Sequence, residues 1–310
     1  MTERVLAPRS NLAEKIAAGD IRALARAATW IENRRPEAEH LLRELFPRTG
    51  RAMIIGVTGA PGAGKSTLCD QITRTLRAEG KTVGVIAVDP TSPYTGGAIL
   101  GDRIRMQQHH SDPGVFIRSM ATRGWLGGLA AATTEMTMLL DGAGFDAVVV
   151  ETVGVGQDEV EIARLADVTL LVLVPGMGDD VQAIKAGIME IADVFVINKA
   201  DLAGADKLER ELRSYLTLSH RADGWSPKIV QAVASEGQGI AETLAAAREY
   251  HARRQSRERA ADIWAIRLRE MLRERILERL PAQEFAAGGR EVAERRRDPY
   301  SILHEWLAKI

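Results

Sequence analysis

Two kinds of hydrophobic spacing divide the chain. In residues 1–51, Leu12, Ile16, Ile21, Leu24, Ala27, Ile31, Leu41, Leu42 and Leu45 recur at mixed three- and four-residue intervals. In residues 246–310, Trp264, Leu268, Met271, Leu272, Ile276 and Leu280 do the same. Such spacing gathers apolar side chains on one face of a helix, so both ends are expected to be helical. Pro47 and the polar stretch to Arg51 close the first zone. The run Ala286-Ala287-Gly288-Gly289 predicts a break in the last one. Between these zones, in 52–245, short continuous apolar runs alternate with helical patterns. The runs lie at 53–58, 83–89, 115–119, 147–152, 169–175, 194–198 and 229–233. Unbroken Val/Ile/Leu runs, as opposed to alternating ones, mark strands covered on both faces. The expected fold is therefore α/β, with a mostly parallel, doubly wound sheet and N- and C-terminal helical extensions.

Composition narrows the function classes. With 310 residues, 45% of them hydrophobic, the chain can bury a large core without staples. Lys and Arg total 41 against 42 Asp and Glu, a balance that lacks the basic footprint of a nucleic-acid or anionic-membrane binder. The single cysteine, Cys69, excludes an internal disulfide and a cysteine-cluster metal site, and suits a reducing cytoplasm. Neither an apolar run of membrane-spanning length nor a secretory signal is apparent.

Chemistry enters with Gly59-Ala60-Pro61-Gly62-Ala63-Gly64-Lys65-Ser66-Thr67, which fits G-x-x-x-x-G-K-[ST] between a strand and a helix. Glycines there allow a tight turn whose backbone N–H groups converge on phosphate oxygens, aided by the positive end of the following helix. Lys65 is expected at the β- and γ-phosphates, and the Ser66 hydroxyl on Mg²⁺. Cys69, just beyond, reads as a small buried apolar residue. Downstream, Asn198-Lys199-Ala200-Asp201 follows a strand and reads N-K-x-D. A carboxylate at Asp201 can accept both the N1–H and N2–H of guanine, whereas adenine offers it a lone pair; GTP is therefore the expected nucleotide. Asn198 would brace the loop and the Lys199 stem would cover the purine. In the later Val233-Ala234-Ser235 stretch, the Ala234 backbone N–H is expected to reach the guanine O6.

Three further segments occur in order: Ala87-Val88-Asp89-Pro90, Gly101-Asp102-Arg103-Ile104-Arg105-Met106 and Glu151-Thr152-Val153-Gly154-Val155-Gly156-Gln157. Together with the NKAD loop, the 182–193 segment and the tail Asp298-Pro299-Tyr300-Ser301, they resemble the methylmalonyl-CoA mutase-associated GTPases of the MeaB/ArgK type. These belong to the G3E group of P-loop GTPases, and the resemblance covers nearly the whole chain. It implies Asp89, Asp102 and Glu151, with Ser66, around Mg²⁺ and the γ-phosphate. Hard carboxylate oxygens at strand ends suit that ion. Asp102 could instead cap a helix or pair with Arg103 or Arg105. Lys65, Glu151, Gln157 and Asp102 are the expected catalytic set, with Glu151 or Gln157 orienting the attacking water. No arginine finger in cis stands out, so slow hydrolysis accelerated by a partner is expected. Asp179, Gln182 and Lys185 match a further switch of the family; Asp179 or Asp180 could equally be a helix N-cap.

The resemblance also implies the client: a cobalamin-dependent acyl-CoA mutase, whose adenosylcobalamin delivery and protection the GTPase would gate. It implies a homodimer too, with 246–310 as the dimerisation arm, although the apolar stripe at 264–280 could equally pack on its own domain. Two rival readings are a nickel-insertion GTPase and a nucleotide-dependent protein kinase. The first lacks the histidine- or cysteine-rich metal segment such proteins carry, and Asp201 argues against the ATP use of the second. A nucleotide-dependent scaffold with negligible turnover is a third. His109-His110, with Asp112 nearby, read as packing or surface residues.

Overall fold

The computed structural model describes residues 11–89, 107–109, 111–121, 128–152, 158–176, 186–218, 221, 223–254 and 257–309. Its centre is a seven-stranded sheet of β1 (Met53–Gly59), β2 (Val83–Asp89), β3 (Val115–Ala121), β4 (Ala147–Thr152), β5 (Val168–Leu173), β6 (Val194–Asn198) and β7 (Lys228–Ala232). The spatial order is β3-β2-β4-β1-β5-β6-β7, and every pairing is parallel. From β1 the chain first builds outward through β2 to β3. It then returns through β4 and, after β5, builds the other way. The strand order thus reverses around β1, and a crevice forms beyond its carboxyl end, where open α/β sheets place ligands.

The continuous runs work as expected because successive residues of one strand feed two cores. In β1, Ile54 packs with α1 (Asn11–Ala17), α2 (Ile21–Glu32), α3 (Pro36–Leu45) and α5 (Gly128–Gly142). Ile55 and Val57 face the other way, onto α4 (Lys65–Ala78) and α9 (Ile240–Arg254). A third cluster joins Leu171, Phe195 and Ile197 to α7 (Ala186–Ile191) and α8 (Ala205–Leu218). The N-terminal helices share one cluster with the sheet. At their junction with β1, the Asp141 carboxylate accepts backbone N–H bonds from Gly50, Arg51 and Ala52 at 2.5, 3.1 and 2.9 Å. Helix α9 crosses residue 245 and carries the second core on to Ala246, Ala247 and Tyr250.

The C-terminal zone holds α10 (Arg257–Glu278), α11 (Ala282–Ala293) and α12 (Pro299–Lys309). The expected break at 286–289 is absent: α11 runs through it, interrupted neither at Gly288 nor at Gly289. A Cβ at Gly288 would stand 2.9 Å from Trp306 Cζ2, so glycine here admits the indole of α12 and does not end a helix. The chain breaks instead before Pro281. Asp298 caps α12 by accepting from the Ser301 N–H at 3.0 Å. The apolar stripe at 264–280 divides. Trp264 and Met271 are half-buried and Leu280 is buried, while Leu268 and Leu272 are exposed. Between the first two, the buried Arg267 guanidinium bonds the Leu165 carbonyl, at the end of α6 (Asp158–Leu165).

Candidate functional site

The glycine-rich loop leaves β1 at Gly59 and enters α4 at Lys65. Gly59 has φ 139°, and a side chain there would collide with the Val172 carbonyl of β5. Gly64, the residue before α4, lies in the left-handed region at φ 89°, where a Cβ would strike the Asn198 amide. The turn therefore admits only glycine at its two ends, and that sharpness aims the α4 N-terminus back at the sheet's carboxyl edge. Ala60, Pro61, Gly62, Ala63 and Thr67 complete the loop and its entry to the helix. Lys65 is buried within it, its Nζ donating to the Gly59 carbonyl at 2.8 Å and to the Ala60 carbonyl at 3.0 Å. This holds an ammonium beside the first amides of a helix, a combination suited to the terminal phosphates of a nucleotide.

One strand away, Glu151 of β4 is 5% exposed, and its Oε1 accepts from the Ser66 hydroxyl at 2.7 Å. A hydroxyl and a buried carboxylate in contact at the phosphate end of the loop form a hard oxygen pair, the donor chemistry Mg²⁺ takes. Beneath them, the Thr152 hydroxyl donates to the Thr58 hydroxyl at 3.1 Å, tying β4 to β1. Asp89 ends β2, with Val88 in register with Thr152, so its backbone reaches the same edge. Asp102, Gln157, Asp179, Gln182 and Lys185 lie outside the described residues.

The N-K-x-D loop leaves β6 on the far side of β5. Asn198 is buried and bridges two segments: its Nδ2 donates to the Ala63 carbonyl at 2.8 Å, and its Oδ1 accepts from the Ala234 N–H at 3.0 Å. The phosphate loop, the base loop and the 233–235 stretch are thereby one unit. Lys199 takes φ 56° and sends its Nζ to the Gly62 carbonyl at 3.0 Å, laying its stem between the two loops. Asp201 is exposed, as is Ser235. The donor expected at guanine O6 is the Ala234 N–H, which Asn198 already engages; a contact to O6 would share that hydrogen. Sequence spacing could not reveal the Asn198 partners, because their positions are set by β1 and β7, not by the motif itself.

An Asn198→Ala chain is expected to lose about 2–4 kcal/mol of stability, since Ala63 and Ala234 would each keep a buried, unpaired backbone group. Its melting temperature should fall by roughly 5–10 °C without nucleotide. Asn198→Asp, which keeps the acceptor but sets a buried carboxylate oxygen against the Ala63 carbonyl, should cost at least as much. An unchanged melting curve for Asn198→Ala would show that the bridge carries no stability.

Outside these loops, His109 is buried and its Nε2 lies 2.9 Å from Asp70 Oδ1 on α4, so it serves packing as expected. Cys69 is fully buried. Among the described residues there is no group of three potential metal-ligating side chains, and no helix is long and apolar enough to cross a membrane.

Residues 24–285 match the family model described as methylmalonyl Co-A mutase-associated GTPase MeaB. A relative from Pyrococcus abyssi, provisionally named as a GTPase, is 50% identical over 97% of this chain and 96% of its own. The GTPase ArgK of Escherichia coli is 42% identical over 72% of this chain and 70% of its own. A solved structure described as a LAO/AO transport system kinase superposes with a TM-score of 0.72 at 30% identity, covering 98% of both chains.

Proposed function

Since the chain belongs to the methylmalonyl-CoA mutase-associated GTPase family MeaB, we propose that this P-loop GTPase is the cytoplasmic chaperone of a cobalamin-dependent acyl-CoA mutase. It gates adenosylcobalamin delivery to the mutase and protects or reactivates it. The observation that carries the nucleotide half is the Asn198 bridge, which joins the phosphate-binding and base-reading loops into one GTP- and GDP-binding surface. The family description supplies the client.

In this reading, Gly59 to Thr67 cradle the phosphates, with Lys65 on the β- and γ-oxygens and Asp201 reading guanine. Ser66 and Glu151, joined by Asp89 and Asp102, hold Mg²⁺, which when bound neutralises charge on the β- and γ-oxygens. Glu151 or Gln157 orients the attacking water. Hydrolysis is slow by itself and is accelerated by a partner, which adds positive charge at the transferring phosphoryl group to that of Lys65. The switch residues Asp179, Gln182 and Lys185 relay the nucleotide state to that partner. Residues 1–51 and 246–310 flank the GTPase domain at 52–245, and the C-terminal zone pairs two copies into a homodimer. Exposed Leu268 and Leu272 on α10, and Tyr300, Leu303 and Leu307 on α12, support that pairing.

Titrating the host's cobalamin-dependent mutase into the purified chain should accelerate GTP hydrolysis saturably, by about tenfold or more, with no such effect on ATP. Acceleration that is absent at saturating mutase would remove the client from the proposal and leave the GTPase. Transfer of the γ-phosphate to protein, with none released to water, would favour the kinase reading.

A further inference from the structure

Beyond β7 the chain turns back on itself before it enters α9. Val233 and Gln238 close this turn as a backbone pair. The Val233 N–H donates to the Gln238 carbonyl at 3.1 Å, and the Gln238 N–H to the Val233 carbonyl at 3.2 Å. Inside it, Ala234–Glu236 make a single 3₁₀ turn, ended by Gly237 at φ 73°. Gly237 returns its N–H to the Ala234 carbonyl at 3.3 Å. Ala234 is thus held at both its polar groups, by the Asn198 carboxamide at the N–H and by Gly237 at the carbonyl. It is fully buried, whereas Ser235, Glu236, Gly237 and Gln238 are exposed.

What fixes the closure comes from outside the loop. Helix α9 starts at Ile240, and its buried Ile240, Leu244, Ala247 and Tyr250 seat it in the second core. Gly239 precedes it, and its carbonyl accepts from the Thr243 N–H at 3.0 Å and from the Thr243 hydroxyl at 2.7 Å. Gly239 takes φ 76°, and a Cβ there would stand 2.2 Å from the Gln231 carbonyl oxygen and 2.8 Å from Ala232 Cα. Backbone lies against backbone, so a side chain enters only by moving the end of β7. Ala232 has a task of its own: its carbonyl accepts from the Ala200 N–H at 3.0 Å and so holds the turn that carries Asp201. Gly239 therefore meets both base-reading elements, Ala234 through Gln238 and Val233, and Asp201 through Ala232 and Ala200.

We propose that Gly237 and Gly239 are positioning residues for guanine recognition, holding the Ala234 N–H where it reads oxygen 6 of the base. The assignment rests on guanine recognition by Asp201 and Ala234, and extends it to residues outside either motif. The Ala234 hydrogen is shared between Asn198 Oδ1 and the base oxygen, so its place is narrow. Such a bond weakens steeply as the N–H swings out of line with either acceptor. Glycine at 237 lets the turn close at positive φ without strain, and glycine at 239 lets the closed turn lie against β7. The two differ in reach. Gly237 acts on the loop alone, and a Cβ there meets nothing closer than Gln71 Oε1 at 3.6 Å. Gly239 also bears on the bond to Ala200.

The test is competition binding on the full chain with GDP, IDP and 6-thio-GDP against a fluorescent GDP analogue. IDP lacks the exocyclic amine that Asp201 reads. 6-thio-GDP keeps N1–H and N2–H and puts a larger, weakly accepting sulfur at position 6. The parent chain should prefer GDP to 6-thio-GDP by about five- to tenfold, and GDP to IDP by about tenfold or more. Gly237→Val, a β-branched residue at positive φ, should cut the first preference to within about twofold of unity and leave the second as it is. Gly237→Asn, whose side chain tolerates that φ, should keep both. Gly239→Ala should lose both; where it fails to fold, the two Gly237 variants decide. Equal weakening of all three nucleotides in Gly237→Val would reduce the glycines to a structural role and overturn the proposal. An unchanged preference at position 6 in that variant, or a parent chain indifferent to the thio substitution, would do the same. A parent chain that bound none of the three would remove guanine recognition itself, and these positioning roles with it.

Discussion

A Lys65→Ala chain is expected to fold and to lose GTP hydrolysis by roughly 10²–10³-fold at saturating nucleotide, with a further loss in affinity. The magnitude follows from where the ammonium sits. It is buried in the loop and bonded to the Gly59 and Ala60 carbonyls, beside the N-terminus of α4. A charge held there needs no reorganisation when negative charge builds on the transferring phosphoryl group, which is why its removal costs more in the transition state than in the ground state. The Ala60 carbonyl lies in a partly exposed stretch but the Gly59 carbonyl is buried, so the stability cost is about 1–3 kcal/mol. Lys65→Arg should not rescue turnover, because a planar, wider guanidinium cannot occupy the place of a compact ammonium between two backbone carbonyls. Single-turnover hydrolysis at saturating GTP, set beside a thermal melt, separates the effects. A turnover within about threefold of the parent chain would remove Lys65 from the catalytic set.

That the loop could be read from sequence at all reflects how local its physics is. A strand, a glycine turn and a helix N-terminus are consecutive in the chain, so spacing alone carries the geometry. The buried runs behave likewise: β2, β4 and β6 begin and end as their apolar patterns predict, because burial on both faces demands apolar residues at every position. Ends are less legible where other constraints act. The run at 169–175 continues through Val174 to Pro175, but β5 stops at Leu173, since proline can offer no N–H to a neighbouring strand. At the edge, β7 is only partly buried, so its apolar run at 229–233 places it one residue off. In α11, glycine spacing suggested a break, whereas the deciding contact is with Trp306 of another helix. The same holds for Asn198. Its motif identifies the residue, but the Ala63 and Ala234 partners come from folding β1, β6 and β7 side by side. Gly239 carries no motif, and only the packing of α9 against β7 makes its missing side chain matter to Ala232.

Replacing Asp201 with asparagine should change which nucleotide the chain prefers without changing its stability. Asp201 follows β6 in a turn held by backbone bonds from Ala200 N–H to the Ala232 carbonyl at 3.0 Å and from Leu202 N–H to the Lys199 carbonyl at 3.0 Å. Its own carboxylate is exposed and makes no hydrogen bond or ion pair among the described residues, so the turn stands without it. Facing guanine, the carboxylate accepts from both N1–H and N2–H. An asparagine can present one oxygen, but its amide N–H₂ would meet a second donor, leaving two groups unpaired in a partly desolvated site. Losses of about 10²–10⁴-fold in GTP affinity are the expected scale for such a mismatch. Xanthine reverses the argument, because a carbonyl replaces the exocyclic amine and accepts from asparagine what guanine could not. The Asp201→Asn chain should therefore bind XTP more tightly than GTP and still reject ATP. Competition against a fluorescent GDP analogue, run with all three triphosphates on both chains, reads the change directly. If the variant kept its GTP affinity and ignored XTP, the base would be read elsewhere. The bonded pair of Asn198 and Ala234 would then be the first place to look, since it is a buried polar junction at the start of the turn.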